Sequence, residues 1–188
     1  MLLTDHYNFI ALIHLLAAAV GLGGATIADV LFFDFLRDLK ISEKEKGVLH
    51  VLSQIIWFAL GLIILSGLGL YLPQSLLLNS SPKFLAKVAI ALVIVINGAF
   101  LNLLISPKLV RISFREKHEH QSGELIRLRK LAFALGAISL ISWYAAFILG
   151  FMRNLDLGFG AIIGLYGGLV LAGIIISQII ERNFQRTF

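Results

Sequence analysis

Residues 84–105 read FLAKVAIALVIVINGAFLNLLI, and this stretch decides the class of fold. Lys87 is its only charged residue, and no proline interrupts it. About 20 consecutive apolar residues are enough for an α-helix to cross the hydrocarbon core of a bilayer. The segment is therefore predicted to be a transmembrane helix.

Comparable apolar segments occur along the whole chain. Hydrophobic residues make up 59% of the 188 residues, charged residues make up 14%, and the mean hydropathy is +0.91. The pattern predicts one all-α membrane domain over residues 1–188, a bundle of five transmembrane helices. The predicted spans cover about 7–36, 48–72, 84–105, 131–151 and 157–180. The first segment is too long for a signal peptide and lacks a preceding basic region, so we expect it to be retained.

Two connections carry local signals for helix starts. Ser42 precedes Glu43 and Glu45, which is typical of a capped helix start. The run from Asn79 to Pro82 predicts a turn that opens the third span. The chain has no cysteine, which excludes disulfides, thiolate metal sites and iron–sulfur ligation.

The basic residues are distributed unevenly, which predicts the topology. Of the 16 Lys and Arg residues, thirteen lie in the connections after the first and third spans or in the C-terminal tail. Lys and Arg are retained on the cytoplasmic side during insertion. We therefore expect a multi-pass protein of the bacterial inner membrane, with its N-terminus outside and its C-terminus in the cytoplasm. The net charge of +5 needs no nucleic acid to explain it, and the basic connections suit anionic lipid headgroups as well as the bilayer itself.

Polar residues inside the first and third spans lie on defined helical faces. At about 100° per residue, each helix presents one stripe of small and polar side chains. The stripe of the first span comprises His14, Ala18, Gly21, Ala25, Asp29 and Phe32, and that of the third comprises Lys87, Ala91, Ile94, Gly98, Asn102 and Ile105. We expect both stripes to face the interior of the bundle.

The spacing within the stripes predicts two polar layers. His14 and Lys87 form an outer layer, and Asp29 and Asn102 form an inner layer about 22 Å deeper at 1.5 Å per residue. His50 and Gln54 open the second helix and are expected to join the inner layer, where Asp29 and His50 could pair as a proton relay. Gln178 and Glu181 close the fifth span at the same level. Ionisable residues inside a membrane usually mark a cofactor, an ion path or a buried pair.

The outer layer predicts a haem site. A neutral imidazole in an apolar bundle is a natural axial ligand for haem iron, so His14 is the candidate metal ligand. Lys87 could contact a haem propionate through a charge-assisted hydrogen bond. The alternatives are a hydrogen bond from His14 to a neighbouring helix and snorkelling of Lys87 to the interface.

The sequence offers two other combinations of metal ligands. A copper site could combine His14 with His6 and Met152, although copper prefers ligands that converge more closely. His118 and His120 could form a metal clip in the third connection, but residues at i and i+2 do not share a helical face.

The first three spans resemble a known family. His14 in the first helix and the segment Ser81-Pro82-Lys83-Phe84-Leu85-Ala86-Lys87 are similar to the HemJ-type protoporphyrinogen oxidases of bacterial membranes, and less specifically to the CopD-like copper-resistance proteins. The resemblance implies a compact helical bundle that binds haem b through His14, with Lys87 at a functional position and a redox role. The family pattern also has an Arg near the end of the first helix, and residues 29–34 contain none.

Two further functions remain open beside haem binding. The protein could be a small transporter or proton-conducting protein that uses Asp29, His50 and Asn102. It could also be a non-catalytic scaffold assembled through ridges of small residues. These ridges are formed by Ala17, Gly21 and Ala25 in the first span and by Gly160, Gly164, Gly168 and Ala172 in the last. We expect the ridges to pack inside one chain rather than to form a homo-oligomer seam.

Overall fold

The structure, a computed structural model, describes residues 2–35, 42–105, 122–152 and 155–186. Within these ranges the backbone is helical and contains no strand. The helices are α1 (Leu2–Phe35), α2 (Glu43–Tyr71), α3 (Ser75–Leu78), α4 (Pro82–Phe100), α5 (Ser122–Phe151) and α6 (Phe159–Arg186). A short 3₁₀ turn, Leu72–Gln74, joins α2 to α3, and a π-helical segment, Leu101–Ile105, extends α4.

The described part of the chain contains five helices that are long and apolar enough to cross a membrane. They cover His6–Phe35, Lys44–Leu78, Pro82–Ile105, Arg127–Phe151 and Phe159–Asn183. Large apolar side chains such as Phe58, Leu65 and Leu165 are mostly exposed on their surfaces. Such a surface is stable against lipid but not against water. The predicted all-α bundle of five spans is confirmed, and the chain is a multi-pass membrane protein.

Local sequence signals set the starts of α2 and α4. The Ser42 side chain accepts a hydrogen bond from the Glu45 amide, and the Glu45 carboxylate accepts one from the Ser42 amide. This capping box satisfies amide groups that have no partner inside the helix. Ser81 caps α4 through the Phe84 amide, and Pro82 occupies its first turn. Both predicted helix starts are confirmed.

The small-residue ridge of α1 lies inside the bundle, as predicted. Ala17 and Ala25 are buried, and a Cβ atom added to Gly21 would come within 2.6 Å of the Trp143 ring on α5. Gly21 therefore allows α1 and α5 to approach each other closely. α1 also packs along α2, while α5 packs against α4 and α6.

The small-residue ridge of α6 lies on the outside, so the expectation that it packs within the chain is wrong. Gly160, Gly164, Gly168 and Ala172 are all exposed. Cβ atoms added to the three glycines would meet no described atom within 4 Å. A periodic ridge shows that small residues share a face, but it does not say whether that face turns inward. α6 instead packs on α5 through other residues, among them Gly173 against Ile141.

α5 starts at Ser122 rather than near residue 131, and a buried ion pair joins its N-terminal part to α6. Arg129 donates to one carboxylate oxygen of Glu181 from Nε at 2.8 Å and from Nη2 at 2.6 Å. The side chains are 8% and 0% exposed. Next to this pair, Gln178 donates to the Lys130 carbonyl at 2.9 Å. Gln178 and Glu181 thus join α6 to α5, which is a different role from the predicted inner layer.

Candidate functional site

Two cavities lie one above the other inside the bundle, and both are bounded by α1, α2, α4 and α5. We name them after their ionisable residues, the His14 cavity and the Asp29 cavity. Leu60, Ile94 and Trp143 line both cavities and form the wall between them. The predicted stripes of the first and third spans supply much of the lining, which is why polar residues occur at two levels.

The His14 cavity has a volume of about 340 Å³. His14 and Lys87 are its only ionisable lining residues among those that the structure describes. The rest of the wall is mainly apolar and includes Ala18, Ile63, Ala91, Ala146, Phe147 and Phe151. A partly open apolar cavity with a few polar groups is the usual form of a small-molecule site, and such sites have volumes of about 300–1,000 Å³.

A hydrogen bond to α2 fixes the orientation of the His14 ring. Nδ1 lies 2.9 Å from Ser66 Oγ, and that hydroxyl donates to the Leu62 carbonyl one turn earlier. Because a serine hydroxyl has a single proton, Ser66 accepts from Nδ1–H of the imidazole. A neutral His14 ring with this hydrogen bond carries its proton on Nδ1 and leaves the Nε2 lone pair available. The ring packs against Gly67, where an added Cβ atom would lie 3.4 Å from His14 Cε1.

Lys87 lies across the same cavity and faces a gap in α5. A Cβ atom added to Gly150 would lie 3.7 Å from Lys87 Nζ, an ordinary contact distance, so the ammonium lies beside the Gly150 backbone. No carboxylate pairs with Lys87 in the described residues. Lys83, one turn earlier, donates instead to the Met152 carbonyl at the end of α5. Lys87 is thus a cation that an anionic ligand group could neutralise.

The structure does not bring the copper ligands together. His6 and His14 are two turns apart on one helix, which is about 12 Å at 1.5 Å per residue. Neither His6 nor Met152 lines the His14 cavity. No cluster of three or more His, Asp or Glu side chains that could hold a metal ion occurs in the part of the chain that is described. His118 and His120 lie outside the described residues.

The Asp29 cavity is smaller, with a volume of about 130 Å³. Its polar lining residues are Asp29, Ser53, Asn102 and Ser139, and its aromatic ones are Phe32, Trp57 and Trp143. Asn102 Nδ2 donates to Ser53 Oγ, which joins α4 to α2. Asn102 belongs to the π-helical segment, a deviation from α-helix that is frequent at functional sites.

His50 and Gln54 do not join Asp29 and Asn102. Both residues are exposed, and neither lines the cavity. The interior face of α2 is carried by Leu49, Ser53 and Ile56, and a shift of one residue turns a side chain by about 100°. The expected pairing of Asp29 with His50 is therefore absent, and Ser53 takes the place expected for Gln54.

Sequence reasoning missed several residues that shape these sites. Ser66 sits in an apolar helix with no pattern that marks it as the partner of His14. Asn97 is buried and donates to the Leu135 carbonyl at 3.0 Å, which links α4 to α5. The sequence predicts Arg129 to be one of the charged residues of the third connection, and its partner Glu181 is 52 residues away. Only three-dimensional contact reveals these roles.

Comparisons of the chain with protein-family models, with curated proteins and with solved structures find no match. The resemblance to the HemJ-type and CopD-like proteins therefore stays a prediction.

Proposed function

We propose that the protein binds haem b in the His14 cavity and has a redox role in the membrane. His14 would ligate the iron through Nε2, and Lys87 would pair with a propionate carboxylate. Bound haem would supply one-electron redox chemistry. The residues that line the cavity would supply ligation, charge neutralisation and an apolar surround.

The observation that carries this proposal is the hydrogen bond from His14 Nδ1 to Ser66. Metal-ligating histidines almost always donate their second ring nitrogen to a neighbouring acceptor, which fixes the tautomer and the ring orientation. Ser66 does this for His14, with its own proton directed to Leu62. The arrangement leaves Nε2 in the form that a metal requires.

The charge of the cavity gives independent support. Haem b is largely apolar but carries two propionates, so it suits an apolar cavity with a cation at one side. Lys87 provides that cation, and it has no anionic partner in the described residues. A charge-assisted hydrogen bond from an ammonium to a carboxylate is short and strong. Such a bond would orient the ligand and raise its affinity.

The test is the visible absorption spectrum of the protein purified in mild detergent from a haem-replete host. We expect a Soret band in the wild type and its loss in His14→Ala. His50→Ala is the matched control, because His50 is exposed and outside both cavities. A colourless, folded wild type that also fails to take up added haemin would overturn the proposal, as would an unchanged Soret band in His14→Ala.

We also propose that the chain lies in the bacterial inner membrane with its N-terminus outside and its C-terminus in the cytoplasm. The support is the enrichment of Lys and Arg in the connections at residues 36–47 and 106–130 and in the C-terminal tail. The same residues favour contact with anionic lipid headgroups. Fusions of alkaline phosphatase and of green fluorescent protein to the C-terminus test the orientation. Phosphatase activity with a dark fluorescent protein would overturn it.

A further inference from the structure

The Asp29 cavity holds a carboxylate without a counter-charge. Asp29 is only 9% exposed, and its Oδ2 atom has no hydrogen-bond partner in the described residues. No Lys, Arg or His lines this cavity among the residues that the structure describes. A buried carboxylate is costly unless it is paired, and in membrane helices such residues mark sites that bind or move ions. A carboxylate that lines a cavity without a counter-charge therefore points to a cationic occupant.

The walls of the cavity favour an organic cation. Trp57 and Trp143 both line it, and the indole ring attracts cations more strongly than other aromatic side chains do. The Asn102 amide nitrogen donates to Ser53, so the carbonyl oxygen of Asn102 remains an acceptor. An anionic group, two indoles and an amide oxygen are suited to an alkylammonium ion.

The same lining is poorly suited to a metal ion. Ca²⁺ takes six to eight oxygen ligands, and Mg²⁺ needs near-octahedral geometry. The cavity offers a single carboxylate, and no cluster of three or more acidic or His side chains occurs in the described part of the chain. An organic cation needs only one counter-ion, because its remaining surface is apolar and contacts the aromatic walls.

The size of the cavity limits the cation. Its volume of about 130 Å³ is slightly below that of an engineered cavity of about 150 Å³ that accepts benzene. A cation with a few carbon atoms around one nitrogen fits this space, whereas a long-chain amine does not. Leu60, Ile94 and Trp143 close the side toward the His14 cavity.

We propose that the Asp29 cavity is a binding site for a small organic monocation, a quaternary or protonated alkylamine. Asp29 is its counter-ion, and Trp57 and Trp143 form its aromatic walls. The site is separate from the proposed haem site and does not depend on it. The protein would then have two ligands: haem, whose propionates are anionic, beside Lys87, and an organic cation beside Asp29.

Isothermal titration calorimetry of the detergent-purified protein with tetramethylammonium chloride tests this site. We expect saturable binding by the wild type and no binding of tert-butanol, a neutral molecule of similar shape. Sodium chloride at the same concentration is expected to give no saturable heat. Asp29→Asn keeps the shape of the side chain, and we expect it to weaken binding by about tenfold or more because it removes the charge.

Two further variants separate the site from general effects on folding. Trp57→Leu is expected to weaken binding severalfold, since Trp57 lines only the Asp29 cavity. His14→Ala is expected to bind tetramethylammonium as the wild type does. Failure of the folded wild type to bind, equal binding of tert-butanol, equal saturable heat from sodium chloride, or wild-type affinity in Asp29→Asn would each overturn the proposal.

Discussion

Arg129 and Glu181 form a buried ion pair in which two guanidinium nitrogens share one carboxylate oxygen, at 2.8 and 2.6 Å. The pair joins the first turns of α5 to the last turns of α6. Removing one partner of a buried pair leaves the other charge unbalanced, which costs about 3–5 kcal/mol in soluble proteins. The pair should therefore control how firmly α6 is held to the bundle.

Glu181→Ala is accordingly expected to lower the free energy of unfolding by about 3–5 kcal/mol. Thermal unfolding in detergent, followed by circular dichroism, measures the effect. Arg182→Ala is the matched control, because the adjacent Arg182 is exposed. The double variant Arg129→Met/Glu181→Leu should recover most of the loss, since it removes both charges. Equal stability of Glu181→Ala and the wild type would show that the pair does not hold the helices together.

Ser66→Ala removes the acceptor that orients His14. Loss of such a partner typically lowers metal affinity about 10–100-fold. We expect the variant to lose haem at concentrations at which the wild type retains it, as measured by titrating haemin and recording the Soret band. Ser177→Ala is the control, because Ser177 is also buried but, among the described residues, bonds only to the Ile174 carbonyl of its own helix. Equal affinity in both variants would contradict the role of Ser66.

Lys87→Gln keeps a polar side chain but removes the positive charge. Hydrogen bonds to charged groups contribute about 1.5–3 kcal/mol, so haem affinity is expected to fall roughly ten- to a hundredfold. The position of the Soret band should not change, because the iron ligand is still His14. Lys44→Gln, at an exposed position near the start of α2, serves as the control. Unchanged affinity in Lys87→Gln would remove Lys87 from the proposed site.

Gly21 and Gly23 lie two residues apart on α1 and should respond differently to the same substitution. A Cβ atom at Gly21 would meet the Trp143 ring at 2.6 Å, whereas one at Gly23 would meet nothing within 4 Å. Overpacking a well-packed interior typically costs about 1–3 kcal/mol, and an indole ring cannot bend aside. Gly21→Ala is expected to lower the thermal stability in detergent, and Gly23→Ala to leave it unchanged. Equal stability of the two variants would disprove the close contact.

The sequence predicted the fold and the interior faces of two helices well. Five spans follow from hydropathy, and the stripes that contain His14 and Lys87 follow from the helical repeat of 3.6 residues. The prediction succeeded there because small and polar residues coincide on one face. The shared cavity of His14 and Lys87 is a direct consequence of those faces.

The remaining features depend on contacts that periodicity does not encode. The helical repeat of 3.6 residues places His50 and Gln54 on a common stripe of α2, but it does not determine that this stripe faces outward. The same ambiguity affected the ridge around Gly164. Hydropathy placed the start of the fourth span after its basic residues. Burial of Arg129 is tolerable because of Glu181, and a local hydropathy average does not include that distant residue.

Both tryptophans of the chain line a cavity, and this gives the protein its own optical reporters. Trp143 borders both cavities, and Trp57 borders only the Asp29 cavity. Indole emission is sensitive to neighbouring charges and is quenched by energy transfer to haem. The Trp143→Phe variant would emit from the Asp29 cavity alone, and Trp57→Phe would emit from the dividing wall. Emission from Trp57 thus reports a charge that enters the Asp29 cavity, and emission from Trp143 reports on both cavities, in the membrane and without a label.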